Sequence, residues 1–307
     1  MMPGKPGRGQ PAGGGPANGW TRGKGGMLSR DLEQRDEGKG PLFREEGAGN
    51  DPGDMLGRGH TRVRADSIAS AMVIDKDNLI QNLSSERMRT YIQIAGGNRD
   101  IGIEWYELNQ QLSASLYVPL QNLEVGLRNG LHGVLAAHHG ETWFDGHLPL
   151  KPWQAKAVQE AKDGLRNRRK PQGPGGIIAE LNFGFWTALF DPLFDQPIWH
   201  KGHLKQLFKY HHPGSPGLNR QMFSGVLNEI RRLRNRVFHH EPILKLNMVY
   251  STHESLCQLL GMLCPDLFAW NRLNDRFPTT HAACTRKMNE NRKMSSQSFE
   301  SRSQTIE

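Results

Sequence analysis

The chain has 307 residues, a formal net charge of +8 and a sequence pI of about 9.5. That length allows one large domain or two small ones, and the excess of Lys and Arg favours a polyanionic partner such as nucleic acid, with a solvated basic surface as the plainer reading of the charge alone. No run approaches 18 consecutive apolar residues and the N-terminus has no apolar core of a secretory signal, so neither a membrane-spanning helix nor export is expected.

Of the 35 glycines, 17 fall in residues 1–60, among prolines and scattered charges. So little apolar surface cannot offset the entropy of ordering, and residues 1–65 are expected to be disordered. The polar stretch 279–307 is expected to be disordered for the same reason. A helical domain is expected between them, over 66–278. The three cysteines, Cys257, Cys264 and Cys284, are odd in number and lack C-x-x-C spacing. They form neither a disulfide framework nor a zinc finger, which points to a reducing cytoplasm.

The periodicity is helical almost throughout, and the fold class expected is all-α. Residues 67–82 and 84–95 read as two short helices, the second closed by Gly96-Gly97. Asn98 is placed to cap a long helical stretch over 99–138. Its apolar stripe is Leu112, Leu116, Leu120, Leu123, Leu127, Leu131 and Leu135, in steps of three and four. Pro119 predicts a kink or a split within it, and Gly140 ends it. Pro152 opens a helix to about 169, residues 171–176 form a loop, and 177–190 reads as a single core helix. A short helix at 198–210, a loop at 211–217, a helix at 219–239 and a core helix at 247–263 complete the bundle. In the 219–239 helix, Met222, Val226, Ile230, Leu233 and Val237 are expected to face inward. Pro242 disfavours helix at Glu241, so this helix should stop near His240.

The end of that helix carries Arg234-Asn235-Arg236-Val237-Phe238-His239-His240. Arginine forks fit phosphate oxygens, and an imidazole near a helix C-terminus suits proton transfer near neutral pH. Five residues correspond to about 500° of helix, so Arg234 and His239 diverge by about 140° unless the last turn departs from ideal. Taken alone, the pattern is also what ordinary basic residues at a helix end look like. Glu124 and Arg128, spaced i, i+4, read first as a helical salt bridge. Trp105, Trp143, Trp186 and Phe185 read as core aromatics, and His200, His203, His211 and His212 as loop histidines without a matching metal-ligand set.

Three segments shift the balance. The motif from Leu233 to Ile243 resembles the signature of the Abi-like proteins, the bacterial abortive-infection family of the AbiD/AbiF type, within the HEPN superfamily. Tyr117–Asn129 resembles that family's first long helix, and Ala179–Trp186 its central Phe-Gly-Phe-Trp segment. The likeness spans roughly residues 84–265, with Phe238 standing where the family has a small residue. It implies a HEPN-like helical bundle with additional helices and a metal-independent endoribonuclease, a toxin acting in phage defence. It also implies Arg234 as phosphate holder, His239 as general acid or base, Asn235 as the orienting amide and His240 as a possible second imidazole. Arg128, Glu124 and Arg236 would support or contact RNA. The implied partners are RNA, a second copy of the chain in a homodimer, and an antitoxin that keeps the enzyme quiet; no cofactor and no metal are expected. A non-catalytic HEPN module that binds RNA, nucleotide or a protein is the alternative. A DNA-binding regulator ranks last, because no short Gly-turned helix pair is present.

Overall fold

The computed structural model describes residues 74–212 and 217–304, and every regular element among them is helical, with no strand. The expected disorder of 1–65 and the start of the 67–82 helix lie outside the described residues. Within them, α1 (Lys76–Asn82) begins at Asp75, whose carboxylate accepts from the amides of Asp77 and Asn78. α2 (Ser85–Ile94) ends in Gly96 and Gly97, both at positive φ, with the Gly97 amide returned to the Ile92 carbonyl at 2.9 Å. Asn98 caps α3 (Arg99–Ser115) through the Ile101 amide.

The long stretch after Asn98 is split. α4 (Tyr117–His139) starts anew after Leu116, two residues ahead of Pro119. Pro119 thus sits in a first turn, where its missing N–H has no helical partner to lose. Every leucine of the expected stripe is at most 3 % exposed. At roughly 2 kcal/mol per buried leucine, this seam is a main source of the fold's cohesion. It packs on α10 (Leu246–Leu263) and α11 (Pro265–Asn274), with α7 (Phe183–Ala188) and α8 (His203–Leu207) also against α4.

Three expectations need correction. The region 177–190 is not one helix: α6 (Pro174–Glu180) begins at a proline inside the expected loop, and Asn182 then caps α7 by accepting the Phe185 amide at 3.0 Å. Leu181 between them is extended. Residues 198–210 form a 3-10 turn (Trp199–Lys201), a left-handed Gly202 and the short α8 rather than a continuous helix. The largest difference lies at the end of the chain. Residues 279–304, expected to be disordered, belong to α12 (Phe277–Gln304), and 305–307 lie outside the described residues. α12 packs on α3, with Cys284 and Asn291 reaching Leu108 and Glu104, and on α10, where Phe277 meets His253; Phe277, Cys284, Met288 and Asn291 are buried. Its polar groups find partners there: Asn291 donates to Glu104 at 3.0 Å, and Lys287 lies 3.3 Å from the same carboxylate. The helical domain therefore runs well past residue 278.

α5 (Pro152–Asn167) and α9 (Arg220–Phe238) follow the reading, with Asn219 capping α9. The buried face of α9 is slightly rotated from expectation. Phe223 and Leu227 are buried with Ile230, Leu233 and Val237, while Met222 and Val226 are only half-buried. Trp105, Trp143, Trp186 and Phe185 are core residues as expected.

Candidate functional site

The inward stripe of α9 leaves a polar flank on the same helix. Asn228, Arg231, Arg234 and Asn235 recur in steps of three, three and one, and all four line a cleft of about 520 Å³. The opposite wall is the α6–α7 corner and its continuation, with Asn182, Gly184, Thr187 and Asp191, and Trp153 of α5 at the rim. Asp191 is paired with Lys151, so its charge is largely compensated. Asn182 stands here because it caps α7, and Thr187 is tied back to the Gly184 carbonyl at 3.2 Å.

The two arginines are held differently. Arg231 donates through Nη2 to Asn228 at 3.1 Å, and its Nε is buried with no hydrogen-bond partner. Arg234 also has a buried Nε without a hydrogen-bond partner; the nearest carboxylate oxygen, Glu124 Oε2, is 3.7 Å away. The Arg234 guanidinium carbon lies 4.5 Å from the centre of the Phe238 ring, one helical turn on. Phe238 in turn meets Tyr117 of α4, with ring centres 5.9 Å apart. The bulky residue at 238 thus supports the arginine, as a cation over an aromatic face does. Glu124 serves Arg234 on another helix, which replaces the expected pairing with Arg128. Arg128 instead donates to its neighbour Asn129 at 3.3 Å.

His239 and His240 are placed by the way α9 stops. His239 is the C-cap, and His240 takes a left-handed conformation with φ 58°. The His240 amide donates to the Val237 carbonyl and the Glu241 amide to the Arg236 carbonyl, at 3.2 and 2.8 Å. These two bonds close the helix in the manner of a C-terminal glycine, with histidine in the glycine's place. The ion pair of Arg236 with Glu241, at 3.6 Å, reinforces the same turn. From outside, Arg87 of α2 donates to the His240 carbonyl at 2.9 Å. Asn109 of α3, almost fully buried, accepts the Ile243 amide at 2.7 Å and reaches the Glu241 carbonyl at 3.5 Å.

Of the expected site residues, then, Arg234 and Asn235 line the cleft and Glu124 supports Arg234. His239 and His240 are exposed at the helix end and are not among the lining residues, and neither are Arg128 and Arg236. Sequence reasoning missed Arg231, Asn228 and Asn182 in the cleft, and Asn109 as the anchor of the turn. The R-R-x-R spacing of Arg231, Arg232 and Arg234 was the available signal for the first of these.

A second group of histidines lies elsewhere. His203, expected in a loop, opens α8 and is wholly buried, with its ring stacked on His138 at 4.0 Å. Burial lowers its pKa from the usual 6.5, and His138, His139 and Lys201 add to that; His139 is lowered in the same way, by burial first.

Comparison of the chain with protein-family models, with curated proteins and with solved structures gave no match in any of the three.

Proposed function

We propose that the chain is an endoribonuclease that cuts RNA by attack of a 2′-OH on the adjacent phosphate. The observation that carries the reading is the cleft in which Arg231 and Arg234 are set beside three side-chain amides, Asn182, Asn228 and Asn235. Two guanidinium groups can neutralise a phosphodiester and the charge that grows on it in the transition state, and amides can orient its oxygens. Arg234 and Asn235 are also residues that the likeness to the Abi-like proteins assigns to catalysis.

The chemistry requires a base to take the 2′-OH proton while O2′ bonds to phosphorus. The bond from phosphorus to the 5′ oxygen breaks, and an acid protonates that oxygen, leaving a 2′,3′-cyclic phosphate and a 5′-OH. His239 is the group for these transfers. It is exposed beside the half-exposed pair Tyr117 and Phe238, and in this proposal it acts in the cleft of a second copy, so that a homodimer completes each site. A role in the cytoplasm, in phage defence under control of an antitoxin, belongs to the same proposal. No helix among the described residues is long and apolar enough to cross a membrane.

One observation favours a second reading, a module that binds RNA without cutting it: among the described residues of a single chain, no imidazole lines the cleft. Purified full-length chain incubated with RNA separates the two. The nuclease reading expects fragments with cyclic-phosphate ends, and a loss of about 10²–10⁴ in rate for His239→Ala, the range of general acid–base catalysis. RNA bound but left intact by the wild type, or cut equally by Arg234→Ala and His239→Ala, overturns it.

A further inference from the structure

Outside the cleft, three chemically unlike side chains converge near the C-terminal end of the fold. His253 and Cys257 are one turn apart on α10, and Asp275 follows the end of α11. One ligand atom from each, Nε2, Sγ and a carboxylate oxygen, lies within 4.8 Å of the other two. Asp275 Oδ2 is 2.6 Å from His253 Nε2, and Cys257 Sγ is 3.6 Å from that same nitrogen. The side chains of His253 and Asp275 are 6 % and 5 % exposed.

This convergence is informative because one ring nitrogen carries either one proton or one lone pair. With the carboxylate at 2.6 Å taking its one strong hydrogen bond, the thiol at 3.6 Å is left only a weak share of it. A Cys–His–Asp nucleophile relay places the carboxylate on one ring nitrogen and the nucleophile on the other, and here both address Nε2. A cation at the centre would satisfy all three donors at once. We propose that His253, Cys257 and Asp275 form a site for a zinc-class divalent cation, with a fourth position left for water or another ligand.

The distances fit such an ion. Tetrahedral zinc, with bonds of about 2.3 Å to sulfur and about 2.0–2.1 Å to nitrogen, sets sulfur and nitrogen about 3.6 Å apart. The pair Cys257 and His253 stands at 3.6 Å before any adjustment. The pair His253 and Asp275 would have to open by about 0.8 Å to reach the nitrogen–oxygen separation of the same geometry. The charge also fits: a thiolate, a carboxylate and a neutral imidazole carry two negative charges, which a divalent cation cancels in a buried place. On binding, the Cys257 proton leaves to solvent and the imidazole proton moves from Nε2 to Nδ1.

The surroundings orient the donors as outer partners of a metal site do. Asp275 Oδ1 accepts the Phe277 amide at 2.9 Å, which fixes the carboxylate. The Phe277 ring stacks on His253 with centres 4.3 Å apart. Asn271, fully buried, directs its amide at Cys257 Sγ at 4.0 Å and itself accepts from Asn122 of α4 at 2.9 Å. No local motif marks this group, because its ligands come from α10 and from the segment just after α11, and the only local spacing is His-x-x-x-Cys.

Cobalt(II) titrated into the full chain tests the site, since a cobalt–thiolate bond adds a near-ultraviolet charge-transfer absorption. The expected result is that band saturating at one equivalent, displaced by Zn²⁺, kept in Cys264→Ser and lost in Cys257→Ser. Asp275→Asn, which retains the cap on Phe277, should weaken Co²⁺ binding at least about tenfold, as loss of a charged ligand does. Absence of the band in the folded wild type, or its persistence in Cys257→Ser, overturns the proposal. Should Cys257→Ser fail to fold, alkylation of the wild type decides: Zn²⁺ should slow modification of Cys257 at least about tenfold, in keeping with a metal-held thiolate, and an unchanged rate overturns the site.

Discussion

α4 and α9 carry the same helical period and put it to opposite uses. On α4 the buried positions from Leu120 to Leu135 are all leucine, and the helix is packed among α7, α8, α10 and α11. On α9 a buried stripe from Phe223 to Val237 runs beside a polar one, Asn228, Arg231, Arg234 and Asn235, that opens onto the cleft. Periodicity therefore locates faces, and the chemistry on each face decides whether it builds the core or meets a ligand. In α9 the core stripe holds rigid the arginines that the cleft presents.

The first way to break the comparison is to damage each stripe and read both stability and binding. Leu127→Ala, in the sealed seam, should cost about 2–5 kcal/mol in urea unfolding, as other leucine truncations in packed cores do. A cost below about 1 kcal/mol would mean that the seam is not the tight packing described. The double substitution of Arg231 and Arg234 by Ala should leave unfolding nearly unchanged. It should weaken RNA binding about tenfold or more and flatten its salt dependence, since two phosphate contacts are lost. A large loss of stability with unchanged salt dependence would make those arginines structural.

A smaller effect is expected at the stop of α9. His240 occupies a left-handed position that glycine adopts freely, so His240→Gly should stabilise the chain by roughly 1 kcal/mol in the same unfolding assay. If the proposed nuclease uses only His239, cleavage should survive that change. Destabilisation would show that the imidazole of His240 makes contacts worth more than the backbone strain.

The smallest effect separates the cleft from the buried histidines. With their folded pKa values lowered, His203 and His139 bind fewer protons in the folded chain than in the unfolded one. Their contribution to stability is present above the unfolded value of 6.5 and lost as the pH falls from there through the lowered folded value. Unfolding measured above and below that window should show acid destabilisation, partly relieved in His203→Leu. Equal pH dependence in the two proteins would contradict the burial of a neutral ring.

How much of this was legible follows from the strength of each local signal. The leucine seam could be read because one strongly apolar residue type recurs at one spacing. The stop of α9 could be read because Pro242 restricts Glu241. The break at Leu181 and Asn182 was hidden inside an apolar run, although Pro174 and Asn182 are residues that open helices. α12 was missed because its buried positions are sparse and mixed, Phe277, Cys284, Met288 and Asn291, so its composition resembles that of a tail. Arg231 was signalled only by its R-R-x-R spacing, and choosing it over Arg232 needed the flank of α9 that faces the cleft. Asn109 had no local signal, because its partners at Glu241 and Ile243 lie more than a hundred residues away.

Central to the proposed function is a cleft that would hold phosphate with Arg234 and receive His239 from a second copy. Co-expression of Arg234→Ala and His239→Ala chains tests it most directly, with RNA cleavage compared among the mixed protein, each variant alone and the wild type. In a mixed dimer built this way, one site carries both substitutions and the other carries neither. The account predicts two inactive variants and a mixture that regains a substantial part of the wild-type rate. A wild type that cuts RNA while the mixture stays inactive would contradict the shared site, and a wild type that cuts no RNA would contradict the nuclease itself.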